Sequence, residues 1–388
     1  MKIVLYCQHV LGIGHFFRTL ELARAFAEHD VILVSGGPRI ETPVPAHVRE
    51  LRLPPLMMGR NFSNLYSGEQ DSDVKDVKAK RRKLLFSLFE NESPDLLIVE
   101  LYPFGRKKFR FEIDPVIEGI RNGNLPECRV ICSLRDVLVE KDRAEKYEAR
   151  VIETVNCFFD ALLIHADPEL IRLDETFSRT KDISIPMIYT GFVTPKPEPG
   201  ARERLRNQIG VGKDEVLVVA SAGGGNVGGA LLEGVLDAFG RIDTGKTLHL
   251  HMFSGPFMDD ASFDRLKARS SKNIRVFRFT PDFLSYLSAA DLSVSMAGYN
   301  TCMNVLAAGV PALVWPFSAN REQRYRAERL ARPGCMEVLG DDDIKPQRLS
   351  ALMNRAISRT GRFRGRIDLD GAANTVKWVE MWMEPFVS

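Results

Sequence analysis

Three glycine segments in this chain each stand between an apolar run and a helical pattern, and each has the makings of an anion site. The first is Gly12-Ile13-Gly14-His15, which follows the run Ile3–Tyr6 and precedes the pattern Arg18–Glu28. Glycines at such a turn let backbone approach a ligand, and the free amides of a helix start favour negative charge. The spacing is G-x-G-H and not G-x-G-x-x-G, and the next apolar run ends in Ser35-Gly36-Gly37 without an acidic residue. A nicotinamide dinucleotide is therefore disfavoured. The second segment, Ser221 to Gly229, carries five glycines within Gly223–Gly229, including Gly223, Gly224 and Gly225 beside Asn226. Its amides suit a phosphate or diphosphate, and no Gly-Lys-Ser/Thr follows, so it is not an ATP-hydrolysing loop. The third, Gly298-Tyr299-Asn300-Thr301, opens another helix, for which Asn300 or Thr301 is expected as cap. Two anion-ready helix starts in one half of the chain suit a nucleoside diphosphate.

Four groups of titratable residues accompany these turns. His15 sits at the first glycine turn, where an imidazole could take a proton from a hydroxyl or simply bind phosphate. Arg135-Asp136 follows the run Arg129–Ser133, so that Arg135 could pair with phosphate while Asp136 orients His15 or forms a structural ion pair. His249 and His251 share one face of LHLHMF, and without a third ligand nearby they read as strand surface. Asp71-Ser72-Asp73 has the D-x-D form, but no strand leads into it and it reads as a solvated loop. No metal is required, because helix starts and glycine amides can offset the charge of a diphosphate.

The elements that must carry these residues alternate. Ile3–Tyr6, Val31–Ser35, Leu96–Val99, Arg129–Ser133 and Ala161–Ile164 read as buried strands separated by helical patterns. The text then becomes GFVTPKPEPG, with prolines at 195, 197 and 199, which favours an extended connector. Strands and helices resume with Val216–Ala220, Ala230–Phe239, Thr247–Phe253, Ser262–Arg269, Ile274–Phe277, Asp282–Ala290, Leu292–Met296, Thr301–Ala308 and Ala312–Trp315. This predicts an α/β protein of two doubly wound parallel-sheet domains, residues 1–190 and 201–365, joined by a linker at 191–200 and facing across a cleft. Residues 366–388, with Trp378 and Trp382, read as a helix that packs on a domain surface.

Composition narrows the function further. The chain of 388 residues is 45% hydrophobic and 27% charged, which excludes global disorder. Its 53 Lys+Arg nearly balance 51 Asp+Glu, so no nucleic-acid partner is expected from bulk charge. Six cysteines without a CxxC pair fit a reducing compartment. The N-terminal run turns polar at Gln8-His9, too soon for a signal peptide, and no run approaches ~18 apolar residues. The expectation is a cytoplasmic protein, with peripheral membrane contact through the basic runs 75–83 (KDVKAKRRK) and 106–111 (RKKFRF).

The stretch Phe279–Leu330, together with LGIGHFFRTLELARAF, PFGRKKFRFE, SLRDVL and SAGGGNVGG, resembles the GT-B nucleotide-sugar glycosyltransferases. Within them it is most similar to bacterial proteins related to the lipid-linked N-acetylglucosaminyltransferase of peptidoglycan synthesis, the family 28 type. The resemblance implies two Rossmann-like domains, a donor linked to UDP and an unidentified acceptor. It implies that Phe279 and Thr280 line the base pocket, and that Gly223–Gly225 and Gly298–Thr301 hold the diphosphate; Gly14, Arg135 and Asn226 are expected beside the donor from their places in the turns. It implies further that Glu322 and Gln323 meet the donor sugar and that His15 acts as base. Where relatives carry a glutamate on the ribose hydroxyls this chain has Asn304, a neutral and weaker partner that would suit a deoxyribose. A nucleotide-sugar hydrolase would use the same Gly12, Gly14, His15 and Arg18 to activate water, and a non-catalytic sensor is the third reading.

Overall fold

Short aliphatic runs bounded by polar turns become parallel strands buried on both faces, the pattern expected when helices cover both sides of a sheet. The computed structural model describes residues 1–9, 14–37, 39–40, 42–58, 65–68, 73–138, 144–225, 227–318, 321–359 and 366–386. It divides into two units, Met1–Val193 with Asp368–Ser388, and Thr194–Ile367.

In the first unit the strands are β1 (Lys2–Cys7), β2 (Asp30–Ser35), β3 (Val48–Arg52), a small antiparallel pair β4 (Leu56–Met58) and β5 (Leu65–Ser67), then β6 (Leu96–Glu100), β7 (Arg129–Arg135), β8 (Ala161–His165) and β9 (Met187–Tyr189). The main sheet runs β3-β2-β1-β6-β7-β8-β9, all parallel. Its direction of winding reverses between β1 and β6, the point at which α/β sheets open a crevice at their carboxyl edge. Helices α1 (Gly14–Ala25), α2 (Val74–Glu92), α3 (Arg110–Arg121) and α4 (Ala144–Phe158) follow β1, β5, β6 and β7.

The second unit repeats the plan. Helix α5 (Ala201–Ile209) leads into β10 (Val216–Ser221), α6 (Gly229–Phe239), β11 (Leu248–Phe253), α7 (Asp260–Lys267), β12 (Ile274–Phe277) and α8 (Phe283–Ala289). Then come β13 (Leu292–Met296), α9 (Tyr299–Ala308), β14 (Ala312–Trp315), α10 (Arg321–Ala331), β15 (Glu337–Val338) and α11 (Pro346–Ser358). The sheet order β12-β11-β10-β13-β14-β15 places this unit's reversal between β10 and β13. A last helix, α12 (Gly371–Met383), returns to the first unit, where Val379 and Met383 join the core of Ile3, Leu5, Leu20 and Val31.

The two basic runs are only partly exposed. Arg81, within the run 75–83, is fully buried, and all five of its N–H donors are used: Nε and Nη2 on Glu112 at 2.7 and 2.5 Å, Nη2 on Gln8 Oε1 at 2.6 Å, and Nη1 on the carbonyls of Gly36 and Pro54 at 2.9 and 2.7 Å. Tyr6 also donates to Glu112. A guanidinium survives burial only when so completely satisfied. In the run 106–111, Phe109 is buried and Arg106 turns inward to Glu100. Lys75, Lys80, Arg82 and Lys83 remain exposed on α2, as do Lys107, Lys108 and Arg110. Among the described residues no helix is long and apolar enough to cross a membrane.

Candidate active site

The first candidate centre lies where β1 and β6 part. Gly14 and His15 open α1 directly after the β1 turn, whereas Gly12 and Ile13 lie outside the described residues. Glu100 is the last residue of β6, the strand beside β1, and its Oε1 lies 2.6 Å from His15 Nδ1. Arg18, one helical turn beyond His15, donates to the same carboxylate oxygen. Arg106 approaches the other oxygen with Nε and Nη2, both at 3.4 Å. Arg106 is held there in a left-handed backbone conformation, φ 56°, uncommon for a residue with a side chain.

These contacts settle the charge states. Burial opposes ionisation of Glu100, but His15, Arg106 and Arg18 outweigh it and hold the carboxyl well below its usual range. Burial also lowers His15 from 6.5 to about 3, against the pull of Glu100. The imidazole is therefore neutral, its Nδ1–H donated to Glu100, with Nε2 carrying the lone pair. His15 remains 22% exposed, so that nitrogen is the basic atom of the cluster.

The carboxylate that orients His15 is thus Glu100, where sequence reasoning had put Asp136. The sheet order gives the reason: β6 adjoins β1, while β7 lies one strand further away. Asp136, just beyond β7, is wholly buried and accepts from the amide of Val137 at 2.8 Å; Arg135 closes β7 and is half-buried. The signal for Glu100 was present as an acidic residue ending the apolar run LLIVE. Arg106 was hidden inside a run read as surface charge.

The second centre lies where β10 and β13 part. Helices α6 and α9 begin there with glycine N-caps, Gly228 and Gly298, which offer no side chain to the first-turn amides. The helix after β13 starts at Tyr299, so Asn300 and Thr301 lie within its first turn and do not cap it. The glycine loop after β10 approaches the α9 start: a Cβ built on Gly223 would lie 3.8 Å from Thr301 Oγ1, and one on Gly298, the α9 N-cap, would lie 3.9 Å from it. Gly223 and Gly225 have φ values of 65° and 90°, which explains glycine at both. Gly225 has a second reason, since a Cβ there would meet Ser254 O at 2.6 Å and Met258 N at 2.8 Å. Gly224 lies between them, and Asn226 is outside the described residues.

The remaining predicted residues spread along the same carboxyl edge. Phe279 is exposed beyond β12, and Thr280 Oγ1 accepts from the amide of Asp282 at 3.1 Å. Asn304, one turn beyond Thr301 and half-buried, accepts from Thr194 Oγ1 at 3.4 Å. On α10, Glu322 is buried and accepts from Arg326 Nη2 at 2.9 Å, and Arg326 in turn lies 5.3 Å from the ring centre of Tyr299. Gln323 Oε1 accepts from the amide of Phe317 at 3.1 Å, at the β14–α10 turn.

The other chemistry-bearing residues take no part. His249 pairs with Glu215 at 3.1 Å, and His251 is buried against Phe277 and Tyr286. Asp73 caps α2 through the amide of Lys75 at 2.8 Å, while Asp71 and Ser72 lie outside the described residues. Among the described residues no group of three or more His, Cys, Asp or Glu is placed to hold a metal ion.

Residues 219–361, which contain this second centre, match the Glycosyltransferase family 28 C-terminal domain. Over 156 residues the chain is 28% identical to the UDP-N-acetylglucosamine--N-acetylmuramyl-(pentapeptide) pyrophosphoryl-undecaprenol N-acetylglucosamine transferase of Carboxydothermus hydrogenoformans, 39% of this chain and 40% of that protein. It therefore spans about two fifths of that relative's length. An uncharacterized glycosyltransferase of Methanosarcina mazei is 22% identical over 354 residues, 87% of this chain and 86% of that one. Among solved structures, CalG4, the calicheamicin glycosyltransferase, superposes with a TM-score of 0.62 at 15% identity, covering 100% of this chain and 99% of its own. Residues 219–361 thus match a family 28 C-terminal glycosyltransferase domain, and the chain as a whole has the GT-B fold.

Proposed function

We propose that the chain is a glycosyltransferase that moves a sugar from a nucleoside-diphosphate sugar, UDP-linked, to an acceptor hydroxyl. The observation that carries this reading is the approach of the glycine loop, at Gly223, to Thr301 in the first turn of α9, on the sheet edge where α6 also begins. The dipoles of α6 and α9 and the amides of the glycine loop suit a diphosphate, in the ground state and as the leaving group. No resident metal is invoked, because the helix starts and loop amides can offset the charge that develops there.

The second unit then holds the donor and the first supplies the base. As the acceptor oxygen bonds to the anomeric carbon, its proton passes to His15 Nε2. The bond from the anomeric carbon to the diphosphate oxygen breaks, and its electron pair leaves with the nucleotide. Glu100, already ionised, stabilises the imidazolium that forms. Asn304 and Gln323 offer amide groups to ribose and sugar hydroxyls, and Arg135 offers charge to phosphate.

The test is thermal stability of the whole protein with UDP, dTDP, GDP, CDP and ADP. A ligand at about 100 times its dissociation constant adds ~2.7 kcal/mol to the folded state. Stabilisation by UDP above the others is expected, and no shift with any of them at millimolar concentration would sink the reading. Stabilisation by dTDP instead would keep the transferase and change its donor. Sugar release at a rate indifferent to every added acceptor would assign His15 and Glu100 to water.

A further inference from the structure

Among the described residues of the second unit, the exposed large hydrophobic side chains are Val227, Phe257 and Phe279. All three lie on loops leaving the carboxyl ends of neighbouring strands, β10, β11 and β12 in that order. Exposed apolar side chains gathered on one edge mark a contact surface, since scattered ones need no explanation. Phe257 and Phe279 are 41% and 44% exposed.

Phe257 is also tied to the glycine loop. Its amide donates to Gly224 O at 3.0 Å, and a Cβ built on Gly224 would lie 3.8 Å from Phe257 Cδ2. A Cβ on Gly255, two residues earlier, would come within 2.5 Å of the Gly223 carbonyl oxygen and the Gly225 nitrogen. The β11 loop is thus packed backbone to backbone against the segment assigned to the diphosphate. Its phenyl ring is left at the surface beside that segment.

We infer that Phe257 is a donor-binding residue, a wall on which the nucleobase stacks. This rests on the donor reading above and adds its direction. From the diphosphate at β10 and β13, aromatic surface lies toward β11 and β12, whereas the Glu322–Gln323 pair lies toward β14. A flat base belongs on the aromatic side, and the hydroxyl-rich sugar on the polar side.

The test is calorimetric titration of the full chain with UDP and with inorganic pyrophosphate, comparing wild type, Phe257→Ala and Phe257→Tyr. Loss of a stacked base weakens binding by about five- to a hundredfold. The expected result is that loss for UDP in Phe257→Ala, unchanged pyrophosphate binding, and near-native UDP binding in Phe257→Tyr. Because the ring is exposed, all three proteins should melt together, which checks folding independently. If wild type binds UDP and Phe257→Ala binds it equally well, or loses pyrophosphate in the same proportion, the stacking role is overturned and the donor site stands. If wild type binds neither UDP nor any other nucleoside diphosphate, both readings fall.

Discussion

His15 and Glu100 stand 85 positions apart in sequence and 2.6 Å apart in space. Their pairing makes a neutral imidazole with an ionised partner, a state that needs no change of protonation before it takes the proton of an attacking hydroxyl. Replacing His15 by Ala should lower the transfer rate by about 10²–10⁴-fold. Stabilisation by UDP should persist, since the glycine loop and the α9 start belong to the other unit. Retention of rate in that variant would remove His15 from the chemistry. Glu100→Gln keeps an oxygen for Nδ1 but loses the charge that supports the imidazolium, so its defect should also fall on rate and not on UDP binding. Alphabetic spacing could flag His15, because the glycines that precede it are local. It could not pair His15 with Glu100, because that contact depends on which strand lies beside β1.

The glycine loop shows at the scale of one element how a single residue type serves different ends. Gly225 has no room for a side chain and a φ of 90°, whereas a Cβ on Gly229 would meet nothing within 4 Å. Gly225→Ala should therefore destabilise the protein by more than about 1 kcal/mol. Gly229→Ala, in the first turn of α6, should be neutral or stabilising by up to about 1 kcal/mol. Urea denaturation of the two variants checks this, and equal midpoints would show that the loop tolerates rebuilding. The alternation of apolar runs and helical patterns made the strands of both sheets legible except the edge strands β3, β9 and β15, because buried parallel strands are written as continuous aliphatic stretches and these three are short or polar. Helix starts were less so. The pattern at Arg18 belongs to a helix that begins at Gly14, and the one at Thr301 begins at Tyr299, where a glycine N-cap leaves no polar cap residue to mark the boundary. The basic run around Arg81 misled for a different reason. Charge in sequence says nothing of burial when the partner, Glu112, is 31 positions away.

For the molecule as a whole, buried imidazoles tie stability to acid. His165 is fully buried, with Nε2 2.8 Å from Ser133 Oγ and Nδ1 2.8 Å from Thr190 Oγ1. Burial takes it, like His15, from 6.5 to about 3. Between those values the unfolded chain binds protons that the fold does not, so stability is full above pH 6.5 and falls as the pH drops toward 3. Denaturation midpoints measured from pH 7.5 down to pH 4 should decline, and less steeply in His165→Gln; a flat profile would contradict the burial of both rings. The return of α12 to the first unit carries a different kind of consequence. A ribosome delivers residues 194–367 before it delivers Val379 and Met383, so the nascent first unit waits with part of its core uncovered while the second is made. The unit begun first is the one completed last.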